Sequence, residues 1–296
     1  MKRLLSLMLV LLPVVAGALP VSVWRYSAGE VADDPRYQYY WDLVAAALKT
    51  NEARYGKAVL EPVSDKMNGE RVVNEMRTGG RVDIMVRTTS RVLEEVLQPV
   101  RIPLDKGLTG YRLMLVRKGR EAELSGVDSL SGLRRFSLGQ QDSWVDVAIL
   151  RDAGFTVTTA NHYEGLFAML DKGRFDLLPR GVNEIGREFR LFAQRYPALS
   201  IDRRLLLYYP LPRYVFLPRT ERGARMAARL EDGLRRLIAS GEFERRYQAY
   251  KQGVLADSRL AGRRLIRIPN PYLPAATPLS DASLWDPLTA ELSARH

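Results

Sequence analysis

The sequence predicts an α/β protein made of two similar lobes, each with a mixed, mainly parallel sheet covered by helices, joined by two crossover strands. Three observations support this fold class. An eight-residue pattern occurs twice, strands and amphipathic helices alternate in the same order around both copies, and extended apolar segments separate the halves. Alternating strands and helices imply parallel sheets with helices packed on their faces.

The repeated pattern has the form G-R-h-D-h-h-x-R, where h is an apolar residue. Its first copy begins at Gly80 and its second at Gly173, 93 positions later. An amphipathic helix precedes each copy, over residues 68–78 and 163–172, and the glycines suit the left-handed position that ends a helix. A period of this length is too long for a solenoid and fits two similar lobes.

Each half of the chain reads as strand, helix, strand, helix and strand, and the last strand belongs to the repeated pattern. Short apolar runs indicate the other strands, and longer amphipathic segments indicate the first helix of each half. The predicted elements are strands 21–26 and 58–63 around a helix at 36–55, and strands 135–140 and 155–159 around a helix at 143–153.

Two further segments are extended and rich in apolar residues, over residues 111–118 and 205–217. Pro210 and Pro212 exclude a helix from the second segment. We interpret both as strands that cross between the lobes. The predicted organisation is therefore a discontinuous first lobe at 21–117 and 211–266, and a second lobe at 118–210.

The last part of the chain, residues 267–296, contains five prolines and little periodicity. We expect an extended tail. Tyr272, Leu273 and Trp285 are the side chains that would hold it against the first lobe.

The amino terminus has the order of a secretory signal peptide. Lys2 and Arg3 precede a short apolar run, and Ala16 and Ala18 supply the small residues of a cleavage site. A transmembrane helix needs about 20 apolar residues, and this run is shorter. We therefore expect removal of residues 1–18 and a periplasmic location.

Composition restricts the chemistry of this chain of 296 residues. It has no Cys, which excludes disulfides and thiolate metal sites, and only two His, which leaves little basis for histidine-dependent catalysis. We therefore expect no cofactor or metal. Lys and Arg number 45 against 34 Asp and Glu. Because basic and acidic residues alternate on the helix at 221–238 and the protein is exported, we do not expect a nucleic-acid partner.

With these features, the chain resembles the bacterial extracellular solute-binding proteins of the polar amino-acid type, which have the type II periplasmic binding fold with two Rossmann-like lobes. The resemblance covers the chain from the signal peptide to about Gly253. It rests on G-R-V-D at Gly80, R-I-P-L at Arg101, F-S-L-G-Q at Phe136 and L-x-x-G-R-h-D at Leu170. The resemblance implies a protein that captures a small solute between lobes that close about a two-strand hinge, usually for delivery to a membrane permease. We expect a monomer without enzymatic activity.

The chain departs from this family at positions that hold a free α-amino acid. The family's T-x-x-R motif would place an Arg where Leu93 stands, because Arg91 comes too early. Its acidic residue after the second repeat is replaced by Arg180 and Gly181, and Glu184 is the next acid. These departures argue against a free α-amino acid as the solute.

Ligands of such sheets bind beyond the carboxyl ends of the strands. Arg87 and Arg180 end the two copies of the repeat, so symmetry predicts one guanidinium from each lobe in the same cleft. Paired guanidinium groups suit a carboxylate or phosphate, although each alone could equally form a salt bridge. The other candidate ligand residues are Arg91, Thr88, Ser90, Tyr26, Gln140, Asp142, Ser143, Trp144 and Asn183.

Some candidates have a structural alternative. Asp142 and Ser143 have the pattern of a helix N-cap, which needs no ligand. Trp144 could form a wall for the ligand or pack between the lobes. Asp83 and Asp176 open their strands at the amino end, opposite the cleft, and are interpreted as structural.

The leading functional hypothesis is a periplasmic protein that captures a small, anionic metabolite for an ABC-type transporter. A sensory or adaptor protein of the same fold is the alternative, and the sequence does not separate the two. A periplasmic lyase or dehydratase is a third hypothesis. Glu184 is the acid near the second lobe's strand end that could serve it, but a lone carboxylate there usually interacts with the helix dipole.

Overall fold

The computed structural model describes residues 21–27, 35–65, 67–256 and 258–294. The expected signal peptide at residues 1–18 lies outside this part of the chain. Within the described residues, no helix combines the length and apolar character required to cross a membrane.

Short strands alternate with helices along the chain. The strands are β1 (Ser22–Ser27), β2 (Ala58–Val63), β3 (Met85–Thr88), β4 (Leu97–Val100), β5 (Tyr111–Arg117), β6 (Leu138–Gln141), β7 (Val157–Ala160), β8 (Leu177–Gly181), β9 (Leu199–Ile201), β10 (Leu205–Tyr208), β11 (Arg213–Pro218) and β12 (Arg264–Arg267). The helices are α1 (Pro35–Lys49), α2 (Glu52–Tyr55), α3 (Gly69–Arg77), α4 (Arg91–Val96), α5 (Leu130–Leu133), α6 (Asp146–Asp152), α7 (Tyr163–Asp171), α8 (Ile185–Phe192), α9 (Glu221–Ala239), α10 (Glu242–Leu255) and α11 (Thr289–Ser293).

The first lobe contains five of these strands. β1 and β2 pair in parallel, and β11 lies between β3 and β4 as an antiparallel partner of both. A parallel bridge between Tyr26 and Ile84 connects the two sets of strands. The long helices α1 and α9 cover this sheet, and Leu230 of α9 belongs to the same buried core as Trp24 of β1.

The second lobe contains one larger sheet with the strand order β12, β10, β5, β8, β6 and β7, and β9 also pairs with β5. β6 is parallel to β7 and β8, whereas β5 is antiparallel to β8 and β10. Helices α6 and α7 pack on this sheet. The mixed α/β fold class expected from the sequence is therefore confirmed.

The repeated pattern makes the same contacts in both lobes. The backbone N–H of Asp83 donates to the carbonyl of Arg25 at 2.8 Å, and the Asp83 carboxylate accepts from the N–H of Arg25 at 2.9 Å. Asp176 and Ser137 repeat this exchange at 3.0 and 2.8 Å. Each Asp thus ties the start of one strand to a neighbouring strand, which agrees with a structural role.

The lobe boundaries differ from those expected. β5 was assigned to the first lobe, which was to end at Arg117, but it pairs with β8 from Arg112↔Gly181 to Val116↔Leu177. Residues 264–266 were also assigned to the first lobe and Arg267 to the tail, but together they pair with β10 as β12. β5 is an apolar strand that is buried at six of its seven positions, and the middle of the second sheet provides that burial.

The chain therefore crosses between the lobes through short connections and not through the predicted strands, and it crosses a third time between α10, which packs on α9, and β12. We call residues 101–110 the first crossing segment and residues 209–212 the second crossing segment. The first leads from β4 to β5, and the second leads from β10 to β11. Two of these crossings were expected, but the first crossing segment lies before the predicted strand at 111–118, and the second lies within the predicted strand at 205–217, which is divided into β10 and β11.

Candidate functional site

A cleft of about 300 Å³ lies between the lobes, at the carboxyl ends of β3, β6 and β8. Loops and helix starts from both lobes form its walls. The first lobe contributes Ser27, Tyr37, Met67, Gly69, Val72, Met85, Val86, Arg87, Thr88 and Arg213, the first crossing segment contributes Thr109, and the second lobe contributes Arg112, Gln141, Ser143, Trp144, Val145, Asp146, Tyr163, Arg180 and Glu184.

Four guanidinium groups meet at this cleft. Two come from the first lobe, on β3 and β11, and two from the second lobe, on β5 and β8. Asp146 and Glu184 are the carboxylates among the described lining residues. Because guanidinium groups outnumber carboxylates on the walls, the cleft has a positive character that favours an anion.

Arg180 is fully engaged on one side. Its Nε donates to Oε2 of Glu188 and its Nη2 to Oε1 of the same carboxylate, both at 2.7 Å. Burial alone would lower the pKa of Arg180, but the carboxylates of Glu184 and Glu188 outweigh it and hold this pKa well above its ordinary value. The guanidinium also lies 4.3 Å from the centre of the Trp144 ring. Arg180 is thus at the cleft, with two of its nitrogens held within the second lobe.

Glu184 lies at the centre of the charge cluster. Its carboxylate is 3.0 Å from Nη2 of Arg180, 3.6 Å from Nη1 of Arg112 and 3.4 Å from Nη2 of Arg213. The backbone N–H of Gly181 donates to it as well, at 3.2 Å. The contact with Arg213 joins the two lobes, because β11 belongs to the first lobe and Glu184 precedes α8 of the second.

Arg112 and Arg213 are both buried, and each has one guanidinium nitrogen that is enclosed by the protein. Nη2 of Arg112 is 2.7 Å from Oδ1 of Asp146, and burial, which lowers the pKa of Arg112, is outweighed by that carboxylate, so the pKa is raised. The Nε atoms of Arg112 and Arg213 are buried and find no acceptor among the described residues.

Aromatic rings form part of both walls. Tyr37 comes from α1, and its ring centre lies 5.5 Å from the guanidinium of Arg213. On the opposite wall the rings of Trp144 and Tyr163 lie 6.3 Å apart. The hydroxyl of Tyr163 donates to Glu188 at 2.7 Å, so the ring is held in place. These rings offer a surface for the apolar or planar part of a ligand.

The structure brings five of the predicted ligand residues to the cleft. Arg87 lies at the first lobe's wall, where its guanidinium packs over Gly69 so closely that a Cβ on Gly69 would lie 2.6 Å from Nη1. The sequence repeat therefore placed Arg87 and Arg180 at opposite walls of the same cleft. The other three are Thr88, Ser143 and Trp144.

Two predicted residues are displaced by one position. Gln140 is wholly buried in the second lobe, and Gln141 lines the cleft instead. Tyr26 packs against Trp41 with ring centres 4.2 Å apart, and Ser27 lines the cleft. Neighbouring residues of a strand point to opposite faces, so an error of one residue in the strand end assigns a core side chain to the cleft wall.

Ser90 and Arg91 belong to the start of α4 and not to the cleft. Ser90 is the N-cap, and its Oγ accepts from the N–H of Leu93 at 3.2 Å. Arg91 is exposed, and its Nη2 donates to the carbonyl of Pro271 at 2.8 Å. Arg91 therefore holds the C-terminal tail, and the anion-binding role expected for it does not fit its position.

The N-cap interpretation of Asp142 and Ser143 is wrong. The helix expected from residue 143 begins at Asp146, and Val145 precedes it without a side-chain cap. Asp142 lies in the intervening turn, where it is exposed and outside the cleft walls. The turn allows Trp144 to face Arg180.

Asn183 lies behind the cleft, where it connects the lobes. Its amide nitrogen donates to the hydroxyl of Tyr250 at 3.0 Å and to Oγ1 of Thr109 at 3.1 Å. Thr109 is itself held by Asp105, whose pKa is raised by burial despite the hydrogen bonds it accepts. Burial, followed by the charge of Asp105, raises the pKa of Tyr250 to about 12. Asn183 thus belongs to a buried polar network at the first crossing segment.

Sequence reasoning missed the arginines contributed by β5 and β11. Arg112 is the second residue of the apolar-rich run YRLMLVRK, ahead of the four apolar residues LMLV and the closing RK, and Arg213 is the charged residue of LPRYVFLP. A buried charge needs a partner, so an isolated Arg near the start of such a run is a usable signal. Gln141, Asp146, Tyr37 and Tyr163 were also missed, and only their positions in the folded chain identify them.

No metal centre is evident in the described part of the chain, where no three His, Cys, Asp or Glu side chains are grouped to hold an ion. The carboxylates at the cleft contact guanidinium groups. The site offers hydrogen-bond donors, positive charge and aromatic rings.

Comparison with known proteins supports the fold. No protein-family model and no curated protein sequence matches the chain. An amino acid ABC transporter substrate-binding protein from Streptococcus pneumoniae, bound to L-arginine, is 16% identical, with 80% of this chain and 94% of that chain covered and a TM-score of 0.52.

Two other structures are similar to the same extent. The BvgS VFT2 domain of Bordetella pertussis is 15% identical over 77% of this chain and 93% of that one, with a TM-score of 0.54. A histidine kinase sensor domain with similarity to periplasmic binding proteins is 14% identical over 79% and 96%, with a TM-score of 0.51. Identities this low establish the fold alone. The described chain therefore has the two-lobed fold of the periplasmic binding proteins.

Proposed function

We propose that this protein is a non-enzymatic periplasmic binding protein that captures a small anionic metabolite in the cleft between its lobes. One observation carries the proposal. Four arginines from four different strands converge on a cleft of about 300 Å³. Guanidinium groups form paired, charge-assisted hydrogen bonds with carboxylates and phosphates, so this wall is suited to an anion.

The dimensions and walls of the cleft restrict the solute. A volume of about 300 Å³ is at the small end of ligand sites, which favours a single metabolite over a peptide. Tyr37, Trp144 and Tyr163 suit a planar or apolar body next to the anionic group. A carboxylate with a ring or a short apolar chain meets both requirements.

The charges also argue against a cationic solute. The substrate-binding protein from Streptococcus pneumoniae was solved with L-arginine, whose side chain carries a guanidinium. Here the carboxylates of Asp146 and Glu184 already contact guanidinium groups of the protein. A further guanidinium would compete with Arg112 and Arg180 for them, so the same fold would select a different ligand.

A panel of ligands tests this proposal. The mature protein is melted thermally with small carboxylates, organic phosphates, neutral analogues and amino acids with cationic side chains. We expect the melting temperature to rise with an anionic compound and to stay constant with its uncharged amide or with L-arginine, because binding to the native state alone raises stability. Stabilisation by cationic amino acids and by no anion would contradict the proposal.

Delivery of the solute to an ABC-type permease is the leading role, and a sensory role is the second candidate. The sensory role is retained as a candidate because a histidine kinase sensor domain has a similar structure. Gene neighbourhood separates them, since permease and ATPase genes beside this gene support transport, whereas a kinase or cyclase gene supports signalling.

A lyase or dehydratase would need a carboxylate that exchanges protons with the ligand. Glu184, the acid considered for that role, contacts three guanidinium groups and a backbone amide. We therefore expect unchanged substrate, by mass spectrometry, after incubation with a cyclic carboxylate such as prephenate. Product formation that is lost in Glu184→Gln would replace the binding-protein proposal by an enzymatic one.

A further inference from the structure

The C-terminal tail lies across both crossing segments. Residues 268–288, which we call the brace, follow β12 of the second lobe. The backbone N–H of Ile268 donates to the carbonyl of Tyr208 at 2.9 Å, and the amide of Asn270 donates to the carbonyl of Pro210 at 2.9 Å. Pro210 belongs to the second crossing segment, so the brace contacts this connection directly.

The brace then reaches the first lobe. Arg91, at the start of α4, donates from Nη2 to the carbonyl of Pro271 at 2.8 Å and from Nε to that of Leu273 at 3.4 Å. Leu273 and Thr277 are buried, whereas Tyr272, which was expected to help hold the tail, is 38% exposed. The tail is therefore attached to the first lobe by the hydrogen bonds from Arg91, with Leu273 and Thr277 of the tail buried nearby.

The brace returns over the first crossing segment. Trp285 lies against Gly107 so closely that a Cβ there would be 2.5 Å from its ring. The N–H of Asp286 donates to the carbonyl of Lys106 at 2.9 Å. Lys106 and Gly107 both have positive φ angles, 47° and 75°, which residues other than Gly rarely adopt. The brace covers this left-handed turn.

The far end of the brace is fixed in the interior. The carboxylate of Asp286 accepts from Lys251 at 2.9 Å and from Tyr247 at 2.8 Å, both on α10. The hydroxyl of Tyr111 on β5 donates to the carbonyl of Asp286 at 3.1 Å. Leu288 is completely buried in the core of the second lobe. The tail expected against the first lobe is thus bound to both lobes and to both crossing segments.

We propose that residues 268–288 act as a conformational brace that sets the angle between the lobes, and that wide opening of the cleft requires release of its contacts at Arg91 and Trp285. Binding proteins of this architecture move about their connections, and hinge motion is absorbed by a few loop residues. A segment that binds both crossing segments and both lobes restricts that motion. The proposal concerns motion, so it is independent of which solute binds.

The absence of Cys in the chain makes the distance between lobes directly measurable. Lys49→Cys on α1 and Lys172→Cys after α7 place one exposed label on each lobe. Pulsed electron spin resonance between two nitroxides attached there reports the distribution of interlobe distances in the full chain, with no ligand required.

Three variants remove separate contacts of the brace. Arg91→Ala removes the attachment to α4, and Trp285→Ala removes the ring over the first crossing segment. Gly107→Ala disturbs the same contact from the crossing segment, because the added Cβ displaces the ring of Trp285. Gly119→Ala is the matched control for the last, because Gly119 has a similar φ of 85° with no atom within 4 Å of the added Cβ. It introduces the same backbone strain without contact with the brace.

We expect one narrow distance distribution in the labelled parent and in Gly119→Ala. In Arg91→Ala and Trp285→Ala we expect the longer-distance population to rise about five- to tenfold, as for loss of one or two hydrogen bonds or a packed ring. Gly107→Ala should behave like Trp285→Ala. Circular dichroism checks that each variant remains folded, and Arg91 is exposed enough that its removal should not unfold the chain. An unchanged distribution in both Arg91→Ala and Trp285→Ala would overturn the proposal.

Discussion

Removal of one partner of the buried pair of Arg180 and Glu188 should strongly destabilise the second lobe. Two hydrogen bonds of 2.7 Å join them, and their side chains are 5% and 1% exposed. Arg180→Ala leaves the Glu188 carboxylate buried with the Tyr163 hydroxyl as a remaining partner. Breaking such a pair costs about 3–5 kcal/mol, so we expect a loss of about this size in the free energy of unfolding.

Urea unfolding followed by circular dichroism measures this loss. Arg235→Ala is the control, since the pair of Arg235 and Glu231 on α9 is exposed and should contribute less than about 1 kcal/mol. The double variant Arg180→Met with Glu188→Leu should recover most of the loss, because neither charge is then left alone. A loss below about 1 kcal/mol in Arg180→Ala would refute the reasoning and would imply that this guanidinium is held for the ligand and not for the fold.

Three further predictions follow from named contacts. Burial raises the pKa of Asp176, but its hydrogen bonds from Ser137 and Arg120 outweigh burial, so this pKa is lowered and Asp176 stabilises the fold above its unfolded pKa of about 3.9. Asp176→Asn should cost about 1–3 kcal/mol at pH 7, and urea unfolding at a series of pH values should show this cost shrinking as the pH falls through the folded-state pKa. Gly233→Ala should lower the free energy of unfolding by about 1–3 kcal/mol and therefore the melting temperature, because its Cβ would lie 2.2 Å from the carbonyl oxygen of Ala47 and would separate α9 from α1. An unchanged melting temperature would contradict this packing. Gln140→Met should leave ligand affinity unchanged and raise stability by about 1 kcal/mol, since both polar atoms of this buried amide lack a partner among the described residues; a loss of affinity by calorimetry would return Gln140 to the cleft.

The repeated pattern is the part of the sequence that predicted most. Its apolar positions and glycines placed the strand and helix order of both lobes, and its last residue placed Arg87 and Arg180 on facing walls of one cleft. The reason is physical, because period and turn chemistry are local properties that a sequence displays. The fold expected from the family resemblance is confirmed by the similar structures.

Features that depend on tertiary contacts were less predictable. The pairing of β5 with β8 depends on which sheet buries an apolar strand, and the strand itself looks the same in either lobe. The exchange of Gln140 for Gln141 depends on a strand end known to one residue. Arg112 and Arg213 were hidden in apolar runs, because their role requires Glu184 from a distant segment.

The affinity of the cleft for an anion is the central claim, and one calorimetric experiment tests it most directly. The small molecule that co-purifies with the mature protein is identified by mass spectrometry after denaturation, and is then titrated into wild type, Arg213→Ala and the exposed control Arg225→Ala. Glu184 keeps Arg112 and Arg180 as partners in Arg213→Ala, but buried Asp105 loses a nearby positive charge, so circular dichroism checks that the variant is folded before titration. Loss of a charge-assisted hydrogen bond of about 1.5–3 kcal/mol predicts about 10- to 150-fold weaker binding in Arg213→Ala and no change in Arg225→Ala. A co-purified cation, or equal affinity in all three proteins, would contradict the account.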